Sequence, residues 1–265
     1  MKELGKHYCD VSKIHIAQIT KPVAKDMIIK YHYSHAWSMC RYALGVYHKM
    51  NNSDILGNSD KLIGCMIYGY PVGRSAVKSV IDGLEKDECL ELTRLFIHDG
   101  YGTNIESYVM GQSFKWMKKN APKIKMLLSY ADPEQLHLGG IYQATNWLYQ
   151  DCRDIQLMPN YSVSLSNNPY KWIHSRTVFS KWGSHNLDRL KREVGKDGHI
   201  EFWRKRESPK HRYIQILGSS KKEKKYLRRN LKHKLSPYPK NAEDFLPSIE
   251  NHKTTYQLEN TESFW

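Results

Sequence analysis

The order of hydrophobic periods between Cys89 and Leu148 constrains this chain more than any other feature. Cys89–His98 (CLELTRLFIH) alternates as a strand does, and the period then becomes helical over Ile105–Lys119, ending ahead of Ala121-Pro122. Lys125–Tyr130 (KMLLSY) is a short apolar run of the buried-strand type, and Gly139-Gly140 precedes a second helical stretch, Ile141–Leu148. Two strands joined by a helix of this length are expected to be parallel neighbours. The predicted fold class is therefore α/β, with a mixed central sheet flanked by helices.

Upstream, Ile14–Ile19 alternates as a first strand, and Lys21–Lys30 is a short helix with Thr20 as N-cap and Pro22 in its first turn. Tyr42–Tyr47 and Leu62–Tyr70 are two further strands, with the polar stretch Lys49–Lys61 as the loop between them. Beyond Tyr149 the pattern is strand-like and irregular; Lys210–Leu217 is a late strand, followed by a short basic helix. Residues 1–235 are expected to form a single domain, and 236–265 a polar, mobile tail.

The charge narrows the partners. Lys and Arg number 41 against 27 Asp and Glu, a net charge of +14 that suits a polyanion. Its densest part is Lys221–Lys234, where Lys221, Lys222, Lys224, Lys225, Arg228 and Arg229 are suited to contacting phosphates without reading sequence. Five cysteines without a CxxC pair argue against a disulfide framework and a Cys-rich zinc site. No run approaches 18 apolar residues and the N-terminus lacks an apolar leader core, so the expectation is a cytoplasmic protein without a membrane partner.

Four clusters carry chemistry. Tyr31-His32-Tyr33-Ser34-His35 gathers two imidazoles, two phenols and a hydroxyl just after a helix. Histidine is suited to proton transfer near neutral pH, and tyrosine can donate to an oxyanion or stack on a base. In the strand after Glu88, alternation puts Glu91 and Thr93 on one face and Leu92 and Arg94 on the other. Charges set among leucines need a partner or a ligand, unless the strand is an exposed edge. Gly100-Tyr101-Gly102-Thr103-Asn104 leads into a helix whose first turn holds Glu106 and Ser107; such a start can bind an anion, or simply be capped by Thr103 or Asn104. Asp132 follows a buried strand at the end where parallel sheets bind ligands, although an Asp before Pro133 also suits a turn.

Taken in order, these segments resemble the Mom proteins of bacteriophages. The matching elements are Tyr31–His35, Leu90-Glu91-Leu92-Thr93-Arg94-Leu95, Asn104-Ile105-Glu106-Ser107, Tyr130-Ala131-Asp132, Gly140-Ile141-Tyr142-Gln143-Ala144, and His211-Arg212-Tyr213 with the Lys-rich stretch after it. The resemblance spans roughly residues 27–240 and rests on their order and spacing, since no single motif is specific. It implies a GNAT-like sheet with a basic C-terminal extension, and conversion of adenine in phage DNA to N6-carbamoylmethyladenine, which defeats host restriction.

The resemblance further implies His32, Tyr33, Ser107 and Asp132 as catalytic residues, with Glu91, Arg94, Asn104, Glu106 and Tyr142 as donor or substrate contacts. The implied partner is double-stranded DNA with a flipped adenine, in the host cytoplasm. The usual pyrophosphate loop of GNAT enzymes is missing, and Gly100–Asn104 stands in its place. That leaves three sources of chemistry open: glycyl-tRNA, an acetyl-CoA-like acyl donor, or iron held by His32, His35 and Asp132 with Tyr33 beside them. Two other functions are open to a chain of this composition, an acyltransferase acting on a protein or small molecule and a DNA-binding protein without catalysis.

Overall fold

The computed structural model describes residues 8–50, 60–72, 75–155 and 160–255. Its elements in chain order are β1 Ile14–Gln18, α1 Lys21–Tyr31, β2 Tyr42–Lys49, β3 Asp60–Gly69, β4 Cys89–Ile97, α2 Ile105–Asn120, β5 Met126–Ala131, α3 Gly140–Ala144, β6 Leu148–Gln150, α4 Cys152–Ile155, β7 Tyr161–Ser164, α5 Ser175–Trp182, α6 Leu187–Lys196, β8 Glu201–Arg206, β9 His211–Ile216, α7 Lys221–Arg229 and β10 Ile249–Lys253. The fold is α/β with a mixed central sheet, as expected. Most of the loop expected over Lys49–Lys61, residues 51–59, lies outside the described residues, as does the end of the expected tail after 255.

The chain divides into two units. The first comprises described residues up to 131, then 139–154 and 211–239. It holds a seven-stranded sheet in the order β1-β2-β3-β4-β5-β9-β6. Neighbours in it are antiparallel except β4 and β5, which run parallel from Cys89↔Met126 to Glu91↔Leu128. Helix α2 makes the crossover between them, and its spacing explains where it lies. Ile105, Val109, Met110, Ser113 and Met117 recur at helical intervals and pack with Leu90, Leu92 and Leu127 of the sheet. The buried Tyr68 hydroxyl is 2.7 Å from Ser113 Oγ, which itself donates to the Met110 carbonyl. The phenol therefore donates to Ser113, and a polar group in the middle of the core is satisfied.

Three expectations are corrected here. The helix expected over Ile141–Leu148 spans only Gly140–Ala144. Asn146 takes a left-handed conformation (φ 58°), and Leu148–Gln150 is drawn into the sheet as β6 by pairing with β9. Beyond Tyr149 the chain is not mainly strand, since α5 and α6 form in it. His174 and Asn186 cap them by accepting from Arg176 and Arg189 N–H groups, and Val178, Trp182, Leu190 and Val194 bury their inner faces. After Ser236 the chain carries structure: Ser236 N–H donates to the Tyr149 carbonyl, and Tyr238 hydroxyl to that of Trp147 at 2.7 Å.

The second unit comprises 132–138, described residues of 155–210, and those from 240 on. Its sheet has the order β10-β8-β7, all antiparallel, so part of the expected tail is its edge strand. Glu207 organises the start of α5. Its carboxylate accepts from Ser162 Oγ (2.6 Å), Ser175 N–H (2.8 Å) and Ser175 Oγ (2.7 Å). Burial works to raise its pKa, but these donors, with His174, outweigh that and hold it below the usual 4.5. A carboxyl depressed by folding contributes stability above its unfolded pKa and loses it as pH falls through the folded one. Acid titration followed by tryptophan fluorescence should therefore show the wild type losing stability below about pH 4.5. Glu207→Gln should be less stable at pH 7 and lose less on acidification.

Candidate active site

The segment Tyr31–Met39 lies against β3 and β4 through contacts along its length. Tyr31 stacks on Phe96 (5.8 Å between centroids) and meets His98 edge-on (4.7 Å). Arg94 Nε donates to the Ala36 carbonyl at 3.1 Å, and Nη1 to that of Thr93 at 2.6 Å. Thr93 Oγ1 donates to the Ile67 carbonyl (3.2 Å) and sits 2.7 Å from Ser38 Oγ, which donates to it. Finally, the Met39 backbone crosses Gly69 so closely that a Cβ there would stand 2.1 Å from the Met39 oxygen. Gly69→Ala should push this segment outward and destabilise the first unit by about 1–3 kcal/mol, measured as a lower urea midpoint.

Within the segment, His32 closes α1. Its N–H donates to the Ile28 carbonyl, and its ring is buried at 6% exposure. Nδ1 accepts from Ser34 N–H at 3.1 Å and lies 2.9 Å from Ser34 Oγ. Because Nδ1 accepts, the neutral ring carries its proton on Nε2. As folded, His32 is thus a hydrogen-bond donor at Nε2, and any proton it accepts enters on the Ser34 side. Tyr33 leans on this ring, 4.3 Å away and tilted by 31°, while remaining 64% exposed. His35 turns back with φ 44°, and its Nδ1 is 2.9 Å from the Ile29 carbonyl. It closes the helix end.

The faces of β4 differ from simple alternation. The β3–β4 register shifts between Ile67↔Arg94 and Tyr68↔Leu92, so Thr93 is an extra residue in β4. Leu90, Leu92, Leu95 and Ile97 pack in one core, Phe96 in another. Arg94 consequently shares a face with Glu91 instead of opposing it. Burial pushes the Glu91 carboxyl above its ordinary range, and the nearby Arg94 charge only partly offsets this. That pairing was invisible to a period-two reading.

Past Glu91↔Leu128 the β4–β5 junction is bridged by a side chain. Ser129 Oγ donates to the Leu92 carbonyl at 2.9 Å and is 2.7 Å from the Tyr142 hydroxyl. With its one proton on the carbonyl, Ser129 accepts from Tyr142. Burial pushes the Tyr142 phenol up to about 12, with Tyr33 and Glu91 adding to the rise. Tyr33, Glu91, Arg94 and Tyr142 are thereby brought into one neighbourhood, together with Thr93 and with Ser129 and Ser38, which no local pattern pointed to.

The remaining expected residues are held by contacts of their own. Ser107 Oγ donates to the Asn104 carbonyl at 2.9 Å inside the first turn of α2; Asn104 is left-handed (φ 69°) and Glu106 is exposed. The Thr103 carbonyl beside them accepts from Cys9 N–H. Asp132 belongs to the second unit, where it pairs with Lys210 and accepts from Glu134 N–H. Lys221, Lys222, Lys224, Lys225, Arg228 and Arg229 are all exposed on α7, with Leu227 its buried contact. Among the described residues, no group of three or more His, Cys, Asp or Glu is arranged to hold a metal ion, so no ligand set of the kind expected from His32, His35 and Asp132 is gathered. Nor is any described helix long and apolar enough to cross a membrane.

A family model described as the Mom protein family matches residues 13–240. A curated relative, the methylcarbamoylase mom of Escherichia phage Mu, is 22% identical over 233 residues, covering 86% of this chain and 84% of the relative. Among solved structures, an N-acetyltransferase from Staphylococcus aureus Mu50 is similar at 10% identity and TM-score 0.37, covering 77% of this chain and 97% of that one. A spermidine N-acetyltransferase from Vibrio cholerae is similar at 9% identity and TM-score 0.39, covering 82% and 98%.

Proposed function

The chain belongs to the Mom protein family, and on that premise we propose that it converts adenine in DNA to N6-carbamoylmethyladenine, shielding phage DNA from host restriction. Its curated relative is a methylcarbamoylase, and transfer chemistry on a base needs what the first unit gathers. The observation that carries the reading is the exposed Tyr33 ring standing with Glu91 and Tyr142 beside the parallel β4–β5 junction.

Adenine N6 is a weak nucleophile, because its lone pair is delocalised into the ring. A flipped adenine stacked on Tyr33 would be held for attack, while the cations of α7 contact the phosphates. His32 Nε2–H and the polar groups at the junction would support charge that develops on the donor. Ser107 completes the proposed catalytic set of the first unit, with His32 taking the N6 proton. Asn104 and Glu106 are the proposed contacts near Ser107.

The donor in this reading is an activated glycyl ester such as glycyl-tRNA. N6 attacks the ester carbonyl and expels the alcohol, forming N6-glycyladenine. The free glycyl amine then adds to C6, and the five-membered ring reopens by breaking the bond from C6 to the original nitrogen. The product is C6–NH–CH2–CO–NH2, with no oxidant or reductant required.

The test is direct. DNA from cells expressing the protein is digested to nucleosides and examined by mass spectrometry. The expected result is a deoxyadenosine heavier by a carbamoylmethyl group. Unmodified DNA from cells containing folded protein would refute the reading.

A further inference from the structure

Across the face of the sheet that carries Glu91, a polar row runs through four strands of the first unit. Tyr130 of β5 stands opposite Arg212 of β9, which stands opposite Gln150 of β6. Arg212 is buried, at 4% exposure. Its Nε donates to Gln150 Oε1 at 2.8 Å, and Gln150 Nε2 donates to the His233 carbonyl at 2.7 Å. Arg212 also hydrogen-bonds the Tyr130 hydroxyl, and its Nη2 is buried with no partner. On the other side of Tyr130 the Glu91 carboxyl is close enough to disfavour its ionisation. Tyr130 and Glu91 are both partly exposed, so the row opens at that end.

A buried guanidinium is expensive, and an apolar side chain would fill this position at lower cost. What Arg212 does that an apolar residue could not is determine the direction of the phenol. A guanidinium has donors only, so the Tyr130 oxygen must accept from it. The phenolic proton is then left to point away from Arg212, toward the open end that Glu91 borders. We propose that Tyr130, oriented from behind by Arg212, donates a hydrogen bond to the carbonyl oxygen of an α-aminoacyl donor whose amine faces Glu91. This rests on the reading of the donor as a glycyl ester and deepens it: the site would select acyl groups that carry a free amine. Arg212 is a positioning residue in this scheme, and Tyr130 a catalytic one.

The experiment has two arms. In the first, modified deoxyadenosine is measured in DNA from cells expressing wild type, Tyr130→Phe, Arg212→Gln and the double variant, normalised to folded protein. Tyr130→Phe removes one oxygen and keeps the ring, and should lower the yield about a hundredfold. The double variant should fall no further than Tyr130→Phe, because Arg212 acts through that hydroxyl. A Tyr130→Phe yield above a third of wild type would overturn the proposal, as would a double variant falling by the product of the two single effects. In the second arm, purified protein and DNA are given tRNA charged with labelled glycine or with labelled N-acetylglycine. Transfer should favour free glycine at least tenfold, and Glu91→Gln should erase that preference. Equal transfer from both overturns the amine contact. A wild type that modifies DNA in cells yet takes no label from glycyl-tRNA refutes the donor reading itself, while the first arm still decides the role of Tyr130.

Discussion

Replacing His32 by alanine should remove modified deoxyadenosine from the DNA of cells expressing the protein, a loss of about a hundredfold or more. The ring has two engaged sides. Nδ1 holds the turn by accepting from Ser34 N–H, and the ring plane supports the exposed Tyr33. Alanine removes both, together with the Nε2 proton directed elsewhere. His32→Asn can retain an acceptor for the Ser34 N–H but has neither the ring nor its proton-transfer capacity, so it should restore folding without restoring modification. Thermal unfolding and nucleoside mass spectrometry on the same preparations check the two halves separately. Substantial modification by His32→Ala protein would exclude His32 from the chemistry.

DNA carrying 15N at the exocyclic N6 of adenine should end with that nitrogen in the side-chain amide and not on the ring. The rearrangement requires it, because the glycyl amine replaces N6 at C6 and the original nitrogen leaves as the amide. In an extract of expressing cells, which supplies whatever donor is used, the modified base is isolated and its amide hydrolysed in mild acid. The heavy nitrogen should then be released as ammonia, leaving unlabelled N6-carboxymethyladenine. Direct alkylation of N6 predicts the opposite, complete retention of the label on the ring. The outcome is all or none, and it discriminates without knowledge of the donor.

Much of the first unit was legible because its elements satisfy local rules. The alternation of Cys89–His98 gave way to the helical spacing of Ile105, Val109 and Met117 at the place where β4 leads to α2, and Thr20-Lys21-Pro22 marks the start of α1. Val178, Trp182, Leu190 and Val194 were just as regular in α5 and α6, and were obscured by the aromatic and basic residues between them. The end of α3 was harder to see. Nothing local distinguishes Ile141–Leu148 as a helix from a helix that stops at Ala144 so that Leu148–Gln150 can pair with β9.

The site divides along the same line. The sequence by itself determined most element types of the first unit, the basic helix α7 and the reactive segment Tyr31–His35, since helical and strand periods and residue chemistry are properties of neighbours in the chain. Only the tertiary structure decided that Arg94 shares a face with Glu91, because the bulge at Thr93 arises from pairing with Ile67 and Tyr68. It likewise set Ser129 against Tyr142 and Arg212 against Tyr130. Such cross-strand and through-space partners are selected by hydrogen-bond register between distant segments, and a shift of one residue would turn each of those side chains to the other face.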